Sequence, residues 1–500
     1  MTNENFFAAL RGAYAECAER TFLNLPGKRK ISYLEMDALS AKYAGALRQL
    51  GAEPGDRIVV QVDKSPENVA LYLGAMRAGL VYVPLNSAYT AAEVDYFLDD
   101  AAPKVFICSP EKLAELTPVA QGQNVTHVLT LGSNGEGTIL DAASKAAAFD
   151  SIVTRSKDGL AVILYTSGTT GRSKGAMLTH ENLSSNAKTL SALWGFSPDD
   201  VLLHALPIFH IHGLFVALHT AMLNACEIMF LPKLDIAELR RLLPTASILM
   251  GVPTFYTRLL AEKDFGKADC VNMRLFISGS APLTIETFNA FEARTGHRIL
   301  ERYGMSEAGM IASNPLQGAR IAGTVGFALP GVALRVAGDK GAPGEIEVNG
   351  PNICVGYWKK PDKTEEAFTE DGWFRTGDVG TLDNEGRLTL VGRDKDLIIA
   401  GGFNIYPIEI EQILDAIPGI VESAVIGVPH PDMGEGVAAV IVADGDGPDD
   451  AALAEALTPL AKFKRPRKFF RVDALPRNTM GKVQKQALRE QYKDAFTAPC

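Results

Sequence analysis

The chain has 500 residues, of which 47% are hydrophobic and 22% charged, and at roughly 100 to 200 residues per domain it is expected to fold as about three units. Its 49 Lys and Arg against 59 Asp and Glu give a net charge of −10, which argues against broad electrostatic binding to nucleic acid or anionic lipid. No apolar run approaches the roughly 18 residues that a membrane helix needs, so no membrane span is expected.

The beginning of the sequence, MTNENFFAALRGAYAECAER, has acidic residues where a secretory signal would be basic, and its apolar positions follow one helix face. The six cysteines are widely separated and include no CxxC pair, so they are expected to be reduced thiols rather than a disulfide framework. Both features predict a cytoplasmic protein.

Helical and strand-like segments alternate through the first third of the chain, and the alternation resumes near residue 160. This pattern predicts mostly parallel sheets with helices on both faces. We therefore predict two doubly wound α/β subdomains, at about 1–155 and 156–320. In the second, a helix that follows Pro282 is expected to end at Gly296, because glycine readily adopts the left-handed conformation of a helix end.

The predicted secondary structure changes after residue 320. Short strands separated by Gly, Pro and Asp predict a small β-barrel over 321–393, which would complete an N-terminal domain of 1–393. The remaining residues, 394–500, restart with helix, strand, strand, helix, strand and helix, and so predict a compact α+β C-terminal domain.

The string YTSGTTGRSKG at 165–175 directly follows a buried-strand run and has the composition of a nucleotide-phosphate loop. Glycines allow backbone N–H groups to crowd around an anion, while hydroxyls and a lysine add donors and charge. A Walker A loop would have Gly directly before its Lys, whereas Ser173 stands there. The predicted phosphate contacts are Thr166, Ser167, Gly168, Thr169, Thr170, Gly171 and Lys174.

This string resembles the signature of the adenylate-forming superfamily, which comprises acyl-CoA synthetases, luciferases and the adenylation domains of peptide synthetases. Six further motifs follow in that family's order: PIFHIHGL at 207–214, GSAP at 279–282, ERYGMSE at 301–307, RTGD at 375–378, GRDKDLIIAGGFNIYPIEIE at 392–411 and PRNTMGKVQK at 476–485. Within the superfamily the chain most resembles the malonyl-CoA synthetases.

The resemblance implies a two-step reaction that uses ATP, Mg²⁺ and coenzyme A. A carboxylate attacks the α-phosphate of ATP to give acyl-AMP and pyrophosphate, and the CoA thiol then displaces AMP. Since both reactants of the first step are anions, positioned positive charge is expected to dominate catalysis. By resemblance, Lys482 bridges the carboxylate and the α-phosphate, Glu307 and Thr166 hold Mg²⁺, and Asp378 and Arg393 bind the ribose hydroxyls.

Two further segments resemble those that enclose adenine, with Tyr303 as the stacking ring. They comprise Gly279, Ser280, Ala281 and Pro282 in one segment, and Glu301, Arg302, Tyr303, Gly304, Met305 and Ser306 in the other.

Four of the eight histidines lie in one stretch: His204, His210, His212 and His219. Their spacing does not match HExxH, and no Cys, Asp or Glu lies within the stretch to complete a tetrahedral set, so no zinc site is expected. By resemblance His210 lies beside the acyl pocket, where it can contact the carboxylate or gate the channel; an ordinary hydrogen-bonded histidine is the alternative.

Arg258 stands on an otherwise apolar helical pattern in the region that lines the acyl pocket of this superfamily. A buried cation is costly unless it is paired, so we expect it to bind the distal carboxylate of a short dicarboxylic acid such as malonate or methylmalonate. Ser280 and Met305 would complete a small pocket. Malonyl-CoA synthetases usually carry Thr-Glu-Thr after ERYGM, whereas this chain has Ala308 after Glu307, which leaves the exact acid open.

The C-terminal domain is expected to be mobile about a hinge at Asp394 and Lys395. Its rotation would withdraw Lys482 and bring Gly401, Gly402 and Phe403 against the pantetheine channel, since glycine permits close backbone approach. A basic cluster is read either as a solvated face or as a contact for the CoA 3′-phosphate; it comprises Lys462, Lys464, Arg465 and Arg467, with Lys464 and Arg465 as the CoA candidates.

Two alternatives stay open at this stage. One is a CoA ligase for a monocarboxylic acid, with Arg258 turned to solvent. The other is a stand-alone adenylation protein that loads a carrier protein in trans. Acetylation of Lys482 by a lysine acetyltransferase would remove the required charge and so act as an off-switch.

Overall fold

The computed structural model describes residues 2–166, 173–401, 403–445, 447–478 and 482–496. Its helices, in chain order, are α1 (Phe6–Tyr14), α2 (Tyr33–Gln49), α3 (Pro66–Arg77), α4 (Ala91–Ala101), α5 (Leu113–Gly122), α6 (Thr138–Lys145), α7 (His180–Leu193), α8 (Leu218–Leu223), α9 (Ile236–Leu242), α10 (Pro253–Ala261), α11 (Ile285–Thr295), α12 (Pro361–Ala367), α13 (Pro407–Asp415), α14 (Asp450–Ala456) and α15 (Lys485–Gln491). A π-helix, His212–Ala217, directly precedes α8.

The strands, in chain order, are β1 (Thr21–Leu25), β2 (Arg29–Ser32), β3 (Arg57–Gln61), β4 (Val81–Pro84), β5 (Val105–Cys108), β6 (His127–Thr130), β7 (Leu160–Thr166), β8 (Lys174–Thr179), β9 (Val201–His204), β10 (Glu227–Phe230), β11 (Ile248–Gly251), β12 (Leu275–Ser278), β13 (Leu300–Met305), β14 (Gly309–Ser313), β15 (Phe327–Ala328), β16 (Ala333–Val336), β17 (Gly344–Asn349), β18 (Phe374–Leu382), β19 (Leu388–Arg393), β20 (Ile398–Ala400), β21 (Phe403–Ile405), β22 (Ile420–His430), β23 (Gly434–Ala443) and β24 (Lys468–Arg471).

The first α/β sheet has the order β6-β5-β3-β4-β7-β8 and is parallel except for its last pair. That pair, β7 and β8, is antiparallel and places Thr166 opposite Lys174. The two ends of the predicted phosphate loop are therefore held side by side by a strand ladder. Ser167, Gly168, Thr169, Thr170 and Gly171 lie outside the described residues.

The second α/β sheet has the order β15-β14-β13-β12-β11-β9-β10-β1-β2. Its central strands are parallel, and it is bordered by antiparallel strands at both ends. Two α/β layers are thus present, as predicted, but the strands are not divided at residue 155. The hairpin of β1 and β2 belongs to the second sheet, because β1 pairs with β10. The pair of β7 and β8 belongs to the first sheet, because β7 pairs with β4.

Local sequence signals set several helix ends. Ser32 and Glu35 form a capping box at the start of α2, and Thr90 and Glu93 form another at α4, so that otherwise unpaired backbone N–H groups are satisfied. Helix α11 ends at Gly296, which has φ +80°, as predicted.

The predicted barrel is present as a four-stranded antiparallel half-barrel of β16 to β19. The C-terminal domain is a five-stranded sheet with α13, α14 and α15. Alternate residues of its long hairpin of β22 and β23 enter two separate apolar clusters, since successive strand residues point to opposite faces. The fold class is therefore the predicted one. In the described part of the chain, no helix combines the length and apolarity required to cross a bilayer.

Candidate active site

Asp378 and Arg393 meet where the half-barrel borders the second α/β sheet. They are direct partners in the ladder of β18 and β19, and Arg393 Nε lies 3.2 Å from Asp378 Oδ1. From β13, Tyr303 donates its hydroxyl to Asp378 Oδ2 at 2.5 Å. The charge of Asp378 raises the pKa of Arg393, and burial together with Asp378 raises the pKa of Tyr303. Three of the predicted nucleotide residues thus form one polar network, in which Tyr303 and Asp378 are buried and Arg393 is partly exposed.

Lys174 and Glu307 lie near each other although 133 positions separate them in sequence. Lys174 is the first residue of β8, and Thr166, opposite it, donates a hydroxyl hydrogen bond to its carbonyl at 3.4 Å. Glu307 is buried in the turn between β13 and β14. Burial lowers the pKa of Lys174, and the nearby Glu307 carboxylate opposes that shift.

Tyr357 joins this pair and was not identified from the sequence. Its hydroxyl donates to Glu307 Oε1 at 3.1 Å, and the Lys174 Nζ lies 4.1 Å from its ring centroid. The available signal was weak: an aromatic residue in a glycine-containing segment, VGYW, with no strand pattern of its own.

The residues present fit a magnesium ion that is held chiefly by phosphate. Among the described residues, no group of three or more His, Cys, Asp and Glu side chains is placed to hold a metal. Mg²⁺ commonly takes one or two carboxylates together with phosphate oxygens and water, which matches the single buried carboxylate of Glu307.

Lys482 reaches this site from the C-terminal domain. Its backbone N–H donates to Asn478 Oδ1 at 3.0 Å, and its carbonyl accepts from the Asn478 N–H at 2.9 Å. Burial, with the charge of Arg393, lowers the pKa of Lys482 to about 8, while Asp378 and Glu307 act in the opposite direction. The lysine therefore shares an electrostatic environment with residues predicted to bind the ribose, Asp378 and Arg393, and with Glu307, which is predicted to bind magnesium.

His212 begins the π-helix, and His210 lies two residues before it. Burial, assisted by the charges of Lys482 and Arg302, lowers the pKa of His210 to about 3, so the ring is neutral at physiological pH. His210 Nδ1 accepts from the His212 N–H at 3.4 Å, which leaves the ring proton on Nε2. His212 Nδ1 lies 3.3 Å from the hydroxyl of Ser280, a residue held at φ +72°.

Arg302 is a buried cation within electrostatic reach of His210 and His212. By resemblance it belongs to one adenine-enclosing segment, and its guanidinium packs against Gly279 of the other, where an added Cβ would lie 2.5 Å from Cζ. Burial lowers its pKa, although a guanidinium stays charged at neutral pH. Its Nε and Nη2, the hydroxyl of Ser278 and Nε2 of His212 make no hydrogen bond within the described part of the chain.

Arg258 is more exposed than the sequence predicts. In α10 the residues Phe255, Tyr256 and Leu259 form the buried face, and Arg258 lies on the exposed face. The expectation that this cation is buried is wrong, because one residue of helix phase separates it from the covered stripe. Its predicted contact with the distal carboxylate of the acid stays a prediction. The argument that a buried cation requires an anionic partner therefore applies to Arg302.

The remaining predicted residues of this region have mixed surroundings. Burial raises the pKa of Glu301 to about 8, and its Oε1 accepts from the Leu283 N–H at 3.4 Å. Ala308 is fully buried and its carbonyl accepts from Asn352 at 2.6 Å. Ala281, Gly304, Met305 and Ser306 are half-buried and Pro282 is exposed.

The CoA candidates lie in the C-terminal domain. Gly401 has φ +60° and donates to the Met433 carbonyl at 2.8 Å, and the half-exposed ring of Phe403 stacks on Phe463. Lys464 and Arg465 already have protein partners: an ion pair to Glu409 for Lys464 and the carbonyls of Leu460 and Thr458 for Arg465. Gly402 lies outside the described residues.

The predicted hinge follows β19 directly, as a single 3₁₀ turn of Asp394–Asp396. Lys395 is exposed in that turn, and the side chain of Asp394 lies outside the description. Arg489 of α15 donates to Asp396 Oδ1 at 2.9 Å, so the turn is attached to the last described helix.

Comparison with known proteins gives two family matches. The model of the AMP-binding enzyme family matches residues 11–358, and that of the AMP-binding enzyme C-terminal domain matches residues 409–482. Among solved structures, ATP-bound MatB from Rhodopseudomonas palustris is 50% identical, with a TM-score of 0.97 over 99% of this chain and 100% of that one.

Two curated relatives act on different acids, according to their names. A malonate–CoA ligase of Arabidopsis thaliana is 34% identical over 492 residues, which cover 91% of this chain and 80% of the relative. The long-chain-fatty-acid–CoA ligase FadD13 of Mycobacterium tuberculosis is 33% identical over 476 residues, which cover 93% of each chain.

Proposed function

The chain belongs to the AMP-binding enzyme family, and from that premise we propose that it activates malonate, or a closely related short dicarboxylic acid, and transfers it to CoA. The acid carboxylate attacks the α-phosphate of ATP, and pyrophosphate leaves. The CoA thiol then attacks the acyl carbon of the adenylate, so that a thioester forms and AMP leaves.

Arg302 is the observation that carries the choice of acid. A buried guanidinium with two unpaired nitrogens costs several kcal/mol, and a second carboxylate on the substrate would pair with it through charge-assisted hydrogen bonds. The unpaired Ser278 hydroxyl and His212 Nε2 offer further donors. An acid with a purely apolar tail would leave all of these groups unsatisfied.

The first step depends on positioned charge. Lys482, within electrostatic reach of Glu307 and Asp378, would neutralise the reacting carboxylate and α-phosphate as they approach. His210 is neutral, so it adds no charge and its Nε2–H is free to orient the reacting carboxylate. A magnesium ion bound by Glu307, with Thr166 nearby, would supply further neutralisation of the triphosphate.

The ribose would be held by the network of Asp378, Tyr303 and Arg393. A carboxylate commonly accepts hydrogen bonds from ribose hydroxyls, and Asp378 is oriented for this by donors on both of its oxygens. The loop residues from Ser167 to Gly171 remain proposed phosphate contacts. Tyr303 remains the proposed stacking ring.

The second step would follow rotation of residues 394–500 about the turn at Asp394 and Lys395. That motion withdraws Lys482 and presents Gly401 to Phe403 to the pantetheine arm. The positive φ of Gly401 supports a close backbone approach at this point. Lys464 and Arg465 are proposed as contacts for the CoA phosphates, at the expense of their present partners.

A pyrophosphate-release panel tests the proposal. Wild type would be compared with Arg302→Gln and with Arg258→Gln, at the exposed arginine that the sequence predicts to bind the acid, over malonate, methylmalonate, succinate, butyrate and a long-chain acid. We expect kcat/KM for malonate to fall roughly 100-fold in Arg302→Gln, because a charge-assisted pair is lost, and to change less than about threefold in Arg258→Gln.

Two results would overturn it. One is a wild-type preference for butyrate or the long-chain acid over malonate, which would favour the monocarboxylate alternative. The other is malonate kinetics that depend on Arg258 and not on Arg302. AMP release that requires CoA, with no carrier protein present, separates CoA ligation from carrier loading.

We further propose that the chain works in the cytoplasm and that acetylation of Lys482 switches it off. The lack of disulfides among the described cysteines supports the first statement. Acetylation would remove the ammonium charge that the first step requires. Mass spectrometry of the protein from growing cells would contradict it if Lys482 were always unmodified.

A further inference from the structure

Tyr357 stands between the cation and the carboxylate of the triphosphate site. Lys174 Nζ lies over its ring at 4.1 Å from the centroid, and its hydroxyl donates to Glu307 Oε1 at 3.1 Å. Tyr357 is 5% exposed, so the ring is fixed in the interior. The two charged groups thus contact different parts of one aromatic side chain.

Backbone hydrogen bonds hold the Tyr357 segment in place on two sides. Residues 355–358 add to β8, the strand that begins with Lys174, through bonds from Val355 N to Met177 O and from Trp358 N to Gly175 O. One residue earlier, the Cys354 N–H donates to the carbonyl of Glu307 itself at 2.7 Å. The ring position is therefore determined by the same strand and turn that carry the two charged side chains.

Without the ring, Lys174 and Glu307 would attract each other. Burial lowers the pKa of Lys174 and the carboxylate opposes that shift, which places the two groups within electrostatic reach. Yet Lys174 and Glu307, both in the described part of the chain, form no ion pair within 4.0 Å, and each contacts Tyr357 instead. A direct ion pair would occupy the lysine needed by phosphate and the carboxylate needed by magnesium.

We propose that Tyr357 is a positioning residue that keeps Lys174 and Glu307 apart and available for the triphosphate and its magnesium ion. The ring face holds the ammonium by a cation–π contact, and the hydroxyl occupies Oε1 so that Oε2 is presented to the metal. This inference rests on the proposed roles of Lys174 and Glu307 in ATP binding. It does not depend on which acid is activated.

Two substitutions separate the two functions of the side chain. Tyr357→Phe keeps the ring and its volume but removes the hydrogen bond to Glu307. Tyr357→Leu removes the ring as well, so Lys174 is free to pair with Glu307. A residue that served only as core packing would change the thermal unfolding temperature in both variants without changing magnesium dependence.

The test is calorimetric titration of the full chain with ATP at several magnesium concentrations, without acid or CoA, so that no turnover occurs. We expect Tyr357→Phe to raise the half-saturating magnesium concentration roughly three- to tenfold, the range of one hydrogen bond to a charged group. Tyr357→Leu should weaken magnesium–ATP binding by about tenfold or more. The control is Tyr14→Phe, which removes the hydroxyl hydrogen bond to Asp37, in a part of the sequence distant from Lys174, Glu307 and Tyr357. Its magnesium–ATP binding should match that of wild type.

A double variant identifies the cause. If the lysine is captured by Glu307 in Tyr357→Leu, then adding Lys174→Met should cost little further affinity, whereas Lys174→Met alone should cost much. Additive losses, or Tyr357→Leu binding like wild type, would overturn the inference while leaving the proposed function intact. Failure of wild type to bind magnesium–ATP would overturn both.

Discussion

The proposed ribose end and the proposed acid end of the site differ in how their polar groups are satisfied. At the ribose end, both oxygens of Asp378 already have partners, Tyr303 and Arg393. At the acid end, Arg302, His212 and Ser278 retain buried polar atoms without a hydrogen bond in the described part of the chain. One network is complete within the protein, and the other is not.

This difference indicates where selectivity arises. A buried donor that only a particular ligand can pair discriminates strongly, because the wrong ligand leaves it unsatisfied. A network that is already satisfied positions its ligand with little added discrimination. We therefore expect substitutions at the acid end to act on the acid and those at the ribose end to act on ATP.

Lys482→Ala should break both ends together, since this lysine lies within reach of Asp378 and of Arg302. We expect adenylation, measured by ATP–pyrophosphate exchange, to fall roughly 100- to 1,000-fold, the usual effect of removing one group that stabilises transition-state charge. Thioester formation from supplied acyl-adenylate should stay within about threefold of wild type, because the lysine is withdrawn in that step. The control is Lys485→Ala, which removes a nearby lysine that pairs with Glu411 at 2.6 Å. Equal losses in the two half-reactions would contradict the role of Lys482.

Gly279→Ala should damage the acid end alone. The added methyl group would lie 2.5 Å from Cζ of Arg302 and would displace the guanidinium. We expect kcat/KM for malonate to fall roughly 10- to 50-fold while the KM for ATP changes less than about threefold. Gly12→Ala, whose added methyl meets no atom within 4 Å, is the matched control. A larger effect on the KM for ATP than on kcat/KM for malonate would indicate that Gly279 encloses adenine, as the resemblance implies, and does not position Arg302 for the acid.

Much of the nucleotide end was predictable and much of the acid end was not. Four nucleotide-site residues belong to motifs that occur in this sequence in the family's order, and the structure brings them together: Asp378, Arg393, Glu307 and Lys482. Arg302 lies in the same motif as Glu307, but the resemblance assigns it to adenine. Nothing in the sequence indicated its unpaired guanidinium, because Leu300 to Tyr303 are all buried and the alternation of a half-covered strand is absent.

The other differences have equally local causes. The exposure of Arg258 depends on the rotation of α10 about its own axis. The apolar pattern defines the buried face of the helix only to within one residue. Tyr357 joins strands distant in sequence, and its segment pairs with β8 through backbone bonds that no side-chain pattern reports. The exchange of strand pairs between the two sheets is similarly set by edges that form only in the folded chain.

A pH profile sharpens the comparison by titrating the group that both ends share. Because the pKa of Lys482 is lowered to about 8, its charged form is present below that pH and is lost above it. We expect kcat/KM for adenylation to fall up to about tenfold per pH unit above pH 8. Lys482→Arg should abolish this fall, since arginine stays protonated, even if its overall rate is lower. The pKa of Glu301 is raised to about 8, so Glu301 could titrate in the same range and is tested by Glu301→Gln. If that variant lost the pH dependence and Lys482→Arg kept it, the titrating group would be Glu301.

The smallest effects should come from a pair of hydroxyl deletions, one at each end. Tyr303→Phe removes the bond to Asp378 Oδ2 and keeps the ring, so the KM for ATP should rise roughly three- to tenfold while that for malonate is unchanged. Tyr256→Phe removes the bond to the Ile277 carbonyl at 2.6 Å, next to Arg302, and should instead raise the KM for malonate by a few-fold. Steady-state titration of each substrate at saturating levels of the other measures both. If each variant shifted the two KM values equally, the two ends would act as one coupled network, and the selectivity assigned to the unpaired groups would have to be shared with the ribose side.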